Sequence, residues 1–322
     1  MSFTRIISLT LIMICGISVT MSAAELRLGF IGTDVSHVVH FSRILNKPGE
    51  PDHIAGARIV AAFKGGSPDI VSSRTRVDKF AEEISKDYGV EIVPDIATLC
   101  SKVDGVLIES GDGRVHLEQA KQVIAAHKPM FIDKPLASTL EDVREIARLA
   151  KAAGVAWFSS STLRFNDLAT KYKYPDATGF DVWGPGPFEE HHHLELAWYA
   201  IHPIETLYTL MGMGCEEVTR TSGGDFNSGS DVIVGRWKDG RIGTVRTLRP
   251  GGNYGVAVFR PKSVVQSPEN ISFSYVPLVR EIILFFQTGK PPVSNDETLE
   301  LYSFMDAAQR SKEAGGRPMK LR

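Results

Sequence analysis

The sequence predicts an α/β protein: a doubly wound parallel sheet followed by a smaller α+β domain. Over residues 25 to about 140, short apolar runs alternate with segments whose apolar residues recur at helical spacing, the rhythm of βαβ units. Beyond about residue 162 the rhythm yields to a tract rich in Gly, Pro and aromatics. The length of 322 residues, 43% hydrophobic and 23% charged, suits about two soluble domains, each able to bury a core.

The first 24 residues stand apart from the fold. MSFTRIISLTLIMICGISVTMSAA carries Arg5, an apolar run from Ile6 and small residues before Glu25, which predicts an export signal cleaved after Ala24. That run, about 15 residues, is shorter than the roughly 20 that span a bilayer. The mature chain is therefore expected in the periplasm or outside the cell, free of the membrane.

Strands are expected at LRLGFIG, ARIVAAF, EIVP, DGVLIES and PMFID, with KFAEEISKDYG and HLEQAKQVIAAHK as helices among them. The helix EDVREIARLAKAAG leads to AWFSSS, a further strand-like run. After YKYPDATGFDVWGPGPF, the segment HHHLELAWYAIHPIETLYTLMG reads as an extended or strand segment followed by a helix. DVIVGRWKDGRIGTVRTLRP reads as two strands joined at Asp239-Gly240, a dipeptide favoured in tight hairpins. SYVPLVREIILFFQTG reads as an amphipathic helix ended by Gly289, and ETLELYSFMDAAQRSKEAGG as a last helix that also stops at glycine. The expected partition is a signal peptide over 1–24, a nucleotide-binding-like domain over 25–140 and an α+β domain over 141–322.

A net charge of −2 and a pI near 6.5 provide no broad basic field for nucleic acid or an anionic membrane, so a small molecule is the expected partner. Once Cys15 leaves with the leader, Cys100 and Cys215 form neither a disulfide framework nor a zinc knuckle.

The stretch LGFIGTDVSHVVHF, residues 28–41, starts like a dinucleotide-binding turn and then departs from it. In GxGxxG the middle glycine lets backbone approach the pyrophosphate and the last lets helix pack on strand. Counted from Gly32 and Thr33, those positions hold Asp34 and His37. Asp34 or Ser36 is either the N-cap of the following helix or part of a functional site. The next strand ends in Lys64 where an acid for the ribose hydroxyls is usual. Lys64 with Gly65, Gly66 and Ser67 is either a site for the 2′-phosphate of NADP or a solvated loop.

At FIDKPLA, residues 131–137, an apolar strand runs into acid-Lys-Pro. This resembles the EKP signature of the glucose-fructose oxidoreductase and inositol dehydrogenase family (Gfo/Idh/MocA). His116 in GRVHLEQAKQVI, His202 in WYAIHPIETLYTLMG and the closing TGKPPVSNDETLELYSFMDAAQRSKEAGGRPMKL fall in the order that family shows, so the resemblance spans nearly the whole mature chain. It implies a Rossmann domain holding NAD or NADP and a second domain built on an open, mostly antiparallel sheet that often mediates homo-oligomerisation. Sugars or polyols are the implied substrates, with Lys134 and His202 as catalytic residues: a histidine titrates near working pH and an ammonium stabilises a developing alkoxide. It further implies that Ser110, His116 and Asp133 join the turn residues at the cofactor, and that Arg164, Trp198 and Tyr199 join Lys134 and His202 at the substrate.

Many dehydrogenases of that family carry Asp four residues before the histidine, where this chain has Trp198. Glu195 or Glu205 is then the candidate substitute, and Trp198 and Tyr199 either stack on a sugar ring or fill core. His191, His192 and His193, flanked by Glu190 and Glu195, suggest a metal, but adjacent side chains diverge in an extended segment and no metal is expected there. Because free nicotinamide is scarce outside the cytoplasm, an exported member is expected to hold its cofactor tightly. Two other functions fit the altered turn: a carbohydrate-binding protein, or a cofactor-independent lyase or hydratase using Asp34, His37, His116 and His202.

Overall fold

The structure, a computed structural model, describes residues 25–322, so the expected leader lies outside the described residues. Six strands form a parallel sheet: β1 (Leu26–Ile31), β2 (Ala57–Phe63), β3 (Glu91–Val93), β4 (Gly105–Ile108), β5 (Met130–Ile132) and β6 (Trp157–Ser159), in the order β3-β2-β1-β4-β5-β6. Their crossovers carry α1 (His37–Asn46), α2 (Val71–Arg74), α3 (Val77–Tyr88), α4 (Ile96–Lys102), α5 (His116–Ala125) and α6 (Leu140–Ala153). Helices on both faces leave no wet side, which is why GVLI and MFI are continuous apolar runs, every residue buried. Glycines in the left-handed region, Gly89 and Gly154, stop α3 and α6 where the sequence places their ends.

The second sheet holds β7 (Gly179–Pro185), β8 (Cys215–Gly224), β9 (Gly229–Trp237), β10 (Ile242–Arg249), β11 (Gly255–Arg260), β12 (Ser263–Gln266) and β13 (Met319–Lys320), in the order β12-β11-β7-β10-β9-β8-β13. Every neighbouring pair is antiparallel except β7 with β10. The β9–β10 hairpin turns at Asp239-Gly240, with Gly240 at φ +87°. Short helices α7 (Asp167–Thr170) and α8 (Glu195–Trp198) precede α9 (Ile201–Met211), and α10 (Val276–Thr288) and α11 (Asn295–Glu313) follow the hairpins. The segment expected to run extended before α9 is instead a series of turns and α8. α9 and α11 bury one face of the sheet through Leu207, Tyr208 and Phe304.

Residue 140 does not divide these units. α6 and β6 follow it, and β6 pairs parallel with β5, so the first sheet runs to Ser159. α10 then returns from the far end of the second sheet to cover the first, packing Leu278, Ile282 and Phe285 with Leu28, Phe41 and Ile59. The approach is close: a Cβ on Gly105 would lie 2.4 Å from the Phe286 ring. Because α11 then goes back to the second sheet, three chain crossings hold the cleft between the sheets. No helix of the described residues is long and apolar enough to cross a membrane.

Candidate functional site

β1, β4 and β5 are adjacent, and their carboxyl ends meet where the strand order reverses, the usual ligand position of an open α/β sheet. The turn after β1 is as tight as the sequence suggests. Gly32 has φ +93°, and a Cβ there would lie 2.4 Å from the Ser110 amide nitrogen, so only glycine fits. Thr33 is fully buried, its hydroxyl donating to the Val77 carbonyl at 2.8 Å.

Asp34 and Ser36 do not cap α1 through their side chains. Ser36 occupies the N-cap position without a side-chain bond, while Asp34 Oδ1 accepts from the Gly111 amide at 3.1 Å, tying the β1 turn to the loop after β4. His37 opens α1 and lays its ring over the strand ends. Its Nδ1 is 2.9 Å from the Asp133 carboxylate and 3.7 Å from that of Glu109. Glu109 and Asp133 extend β4 and β5 by one residue each, their amides donating to the Ile31 and Ile108 carbonyls at 2.7 and 2.8 Å. The third glycine of a dinucleotide turn is thus replaced by a side chain that reaches two buried acids. Burial and the neighbouring Asp133 charge push Glu109 up to about 8. Burial opposes protonation of His37, but the carboxylates, Asp133 foremost, outweigh it and raise the imidazole to about 9. Burial likewise opposes the charge on Asp133, and the facing His37 more than offsets it, leaving that carboxyl below its ordinary value.

Two adjoining pockets of about 260 and 230 Å³ form the cleft and share Val35, Arg76, Lys134 and Tyr199. Asp34, Gly111, Asp112 and Trp198 line the first; Ser36, His37, His202, Tyr254 and Tyr275 line the second. Lys134 and His202 therefore face one space, with the Lys134 ammonium 5.9 Å from the Tyr199 ring centre. His202 stands in the first turn of α9 with Nδ1 2.6 Å from the Ser161 hydroxyl. A hydroxyl both donates and accepts, so Ser161 supports the ring with its proton on either nitrogen, a useful property for a group that takes and returns a proton. Burial, then the Lys134 charge, holds the imidazole well below its ordinary value.

Glu205 is the acid that supports this arrangement, one step removed. Its carboxylate accepts from the Ser161 amide at 2.9 Å and the Ser160 hydroxyl at 3.0 Å. Glu195 instead pairs with Arg220 and Lys312 beyond α9. Arg164, expected at the substrate, is buried away from the cleft and pairs with Glu205 at 2.9 Å and Glu297 at 2.5 Å. It positions the support of His202.

Other expected cofactor residues are also placed elsewhere. Lys64 pairs with Asp78 and lines a separate depression with Glu82 and Lys86, because the strand end turns its side chain away from the cleft. Ser67 donates its amide to Ser73 Oγ and its hydroxyl to Asp112, which occupies the expected phosphate nest. His116 is fully buried, its nitrogens 2.8 and 3.2 Å from the Ser110 and Leu136 carbonyls, so it ties two loops together and takes no part in acid-base work at the cleft. Ser110 lies beneath Gly32, its hydroxyl accepting from Gln119 at 2.9 Å. Cys100 and Cys215 are free and buried.

The three consecutive histidines diverge. His191 bonds Glu189 at 2.7 Å, His193 is exposed, and His192 is buried with its ring 5.4 Å from that of Trp198. Burial lowers His192 to about 4. The unfolded chain takes up that proton near pH 6.5 and the folded chain does not, so stability is full above that value and falls as pH drops towards 4. Unfolding measured at pH 8 and pH 5 should show His192→Gln losing about 2 kcal/mol less than the parent on acidification. Equal losses would show that His192 is solvated.

Sequence reasoning missed Glu109, Tyr254, Tyr275, Arg76 and Ser161. Only Glu109 had a local signal: an acid ends the apolar run DGVLIES just as Asp133 ends PMFID.

The cleft fits a dinucleotide at both ends. The Gly32 turn, against which a Cβ on Gly65 would lie 3.3 Å from the Gly32 Cα, brings backbone close at one end, and Lys134, Tyr199 and His202 stand at the other. Between them the free amides that open α1 and the Arg76 side chain offset the carboxylate of Asp34.

A parallel sheet with a glycine turn at its switch point, joined to a mixed sheet across a cleft holding Lys and His, defines a two-domain Rossmann-like architecture. Residues 27–160 match the model of the Gfo/Idh/MocA family, described as an oxidoreductase family with an NAD-binding Rossmann fold. The inositol 2-dehydrogenase of Paracoccus denitrificans is 32% identical over 161 residues, which are 48% of this chain and 43% of that protein. The match thus spans less than half of that relative's length. Two solved structures share the whole fold. The "probable dehydrogenase" from Thermotoga maritima is 22% identical with a TM-score of 0.74, covering 92% of this chain and 99% of its own. Myo-inositol dehydrogenase from Lactobacillus casei, in complex with NAD(H) and myo-inositol, is 18% identical with a TM-score of 0.71, covering 92% and 97%.

Proposed function

We propose that the mature chain is an exported oxidoreductase acting on a sugar, polyol or sugar derivative, with a tightly held NAD or NADP. The observation that carries the reading is Lys134 and His202 on one cleft at the carboxyl edge of the first sheet. The nucleotide, when bound, supplies the hydride acceptor or donor. Lys134 binds and polarises the reacting substrate oxygen, His202 takes or returns its proton, and the faces of Trp198 and Tyr199 suit the C–H side of a sugar ring. The leader over residues 1–24 supports export. Self-association is assigned to the open face of the second sheet, where Phe259 pairs with Val264 and, through Gly179, continues to Ile242, all three exposed.

Asp34 supports a second reading. A buried carboxylate where a diphosphate would lie favours a carbohydrate-binding protein or a cofactor-independent lyase or hydratase on the same cleft. Denaturing the purified mature chain and analysing the supernatant by mass spectrometry separates them. Close to one NAD(H) or NADP(H) per chain is expected. If none is released and millimolar nucleotide leaves the melting temperature unchanged, the oxidoreductase reading fails, because a ligand selective for the native state stabilises it.

A further inference from the structure

The geometry points to a divalent-cation site formed by His37, Glu109 and Asp133 at the floor of the cleft. The three donor atoms lie within 4.8 Å of one another, and the two separations from His37 Nδ1, 2.9 and 3.7 Å, bracket the roughly 3.0–3.4 Å expected between donors sharing an ion at about 2.1 Å. Glu109 and Asp133 are at most 1% exposed, and apart from the His37 Nδ1 contacts their four carboxylate oxygens are left without hydrogen-bond donors among the described residues. Nor does Lys134 form an ion pair with either acid among the described residues. Two buried carboxylates without donors are costly, and a single imidazole N–H cannot satisfy four oxygens. A divalent ion with a neutral imidazole and two carboxylates leaves the cluster neutral.

One nitrogen and two carboxylate ligands suit a borderline or hard first-row ion such as Mn²⁺, Fe²⁺ or Zn²⁺, and disfavour soft ions that prefer thiolate. The positions left open face the second pocket, which His37 itself lines, so an ion there has an entrance and room for a substrate oxygen. This site goes beyond the oxidoreductase reading and does not depend on it, because its ligands need no nucleotide.

The test uses the full mature chain without added nucleotide. After EDTA dialysis, Mn²⁺ and Zn²⁺ are titrated by calorimetry and metal content is read by mass spectrometry. Expected are one ion per chain, a rise in melting temperature of about 5 °C at saturation, and loss of both in Glu109→Gln and Asp133→Asn. Co²⁺ added to the parent gives visible d–d bands if the imidazole and carboxylates ligate it, a readout that stands even if a variant fails to fold. Uptake below one ion per chain with no thermal shift overturns the site. So does uptake preserved in Glu109→Gln, or a metal-indifferent parent whose Glu109→Gln variant melts higher, which would mark a shared proton instead.

Discussion

Alanine at Lys134 or at His202 should lower turnover by about a hundredfold or more, measured on the first polyol or sugar found to reduce the bound nucleotide. The two side chains line one pocket from opposite units: Lys134 follows β5, and His202 stands in the first turn of α9. General acid-base groups contribute roughly 10² to 10⁴ in rate, and a cation aimed at a developing alkoxide contributes a similar amount. Both losses should fall on kcat, because the proton and the charge move only as the reaction proceeds. Ser161→Ala should give a smaller loss, since it removes the partner that orients the ring and leaves the ring itself. Turnover unchanged in both alanine variants would show that the reaction centre lies elsewhere.

What the sequence disclosed depended on how local each signal was. Strands, helices and their glycine stops were readable because burial on both faces of a parallel sheet writes apolar runs, and a left-handed C-cap writes glycine. The Asp239-Gly240 hairpin was readable for the same reason. Residues that act across the fold were not. Arg164 sits four residues after Ser160 in a polar stretch, and nothing nearby indicates that its partners lie on α9 and α11. Lys64 followed the strand expected to read the ribose, but its side chain turns away from the cleft and pairs with Asp78 on a later helix. The turn itself was the reverse case. Asp34 and His37 were visible as departures, and their reason, an amide at Gly111 and acids at 109 and 133, became visible only when three strand ends were brought side by side.

Arg164→Met should lower the stability of the chain by about 3–5 kcal/mol, because it leaves two carboxylates in a pocket built for an ion pair. Arg164 is 8% exposed and Glu205 4%, so neither charge can be rehydrated without moving α9. Burial alone raises the Glu205 carboxyl, and the Arg164 guanidinium is the chief group opposing it. Chemical denaturation of the parent, R164M, E205Q and the double variant forms a cycle. E205Q added to R164M should recover part of the loss, since a neutral amide needs no counter-charge. The same four proteins also report function. Glu205 accepts from the amide of Ser161, whose hydroxyl meets His202, so release of Glu205 should lower kcat with little change in KM even where the fold survives. A cycle whose two changes add without coupling would mean that Arg164 and Glu205 do not share the burden, and the line of support from α11 to His202 would end at Glu205.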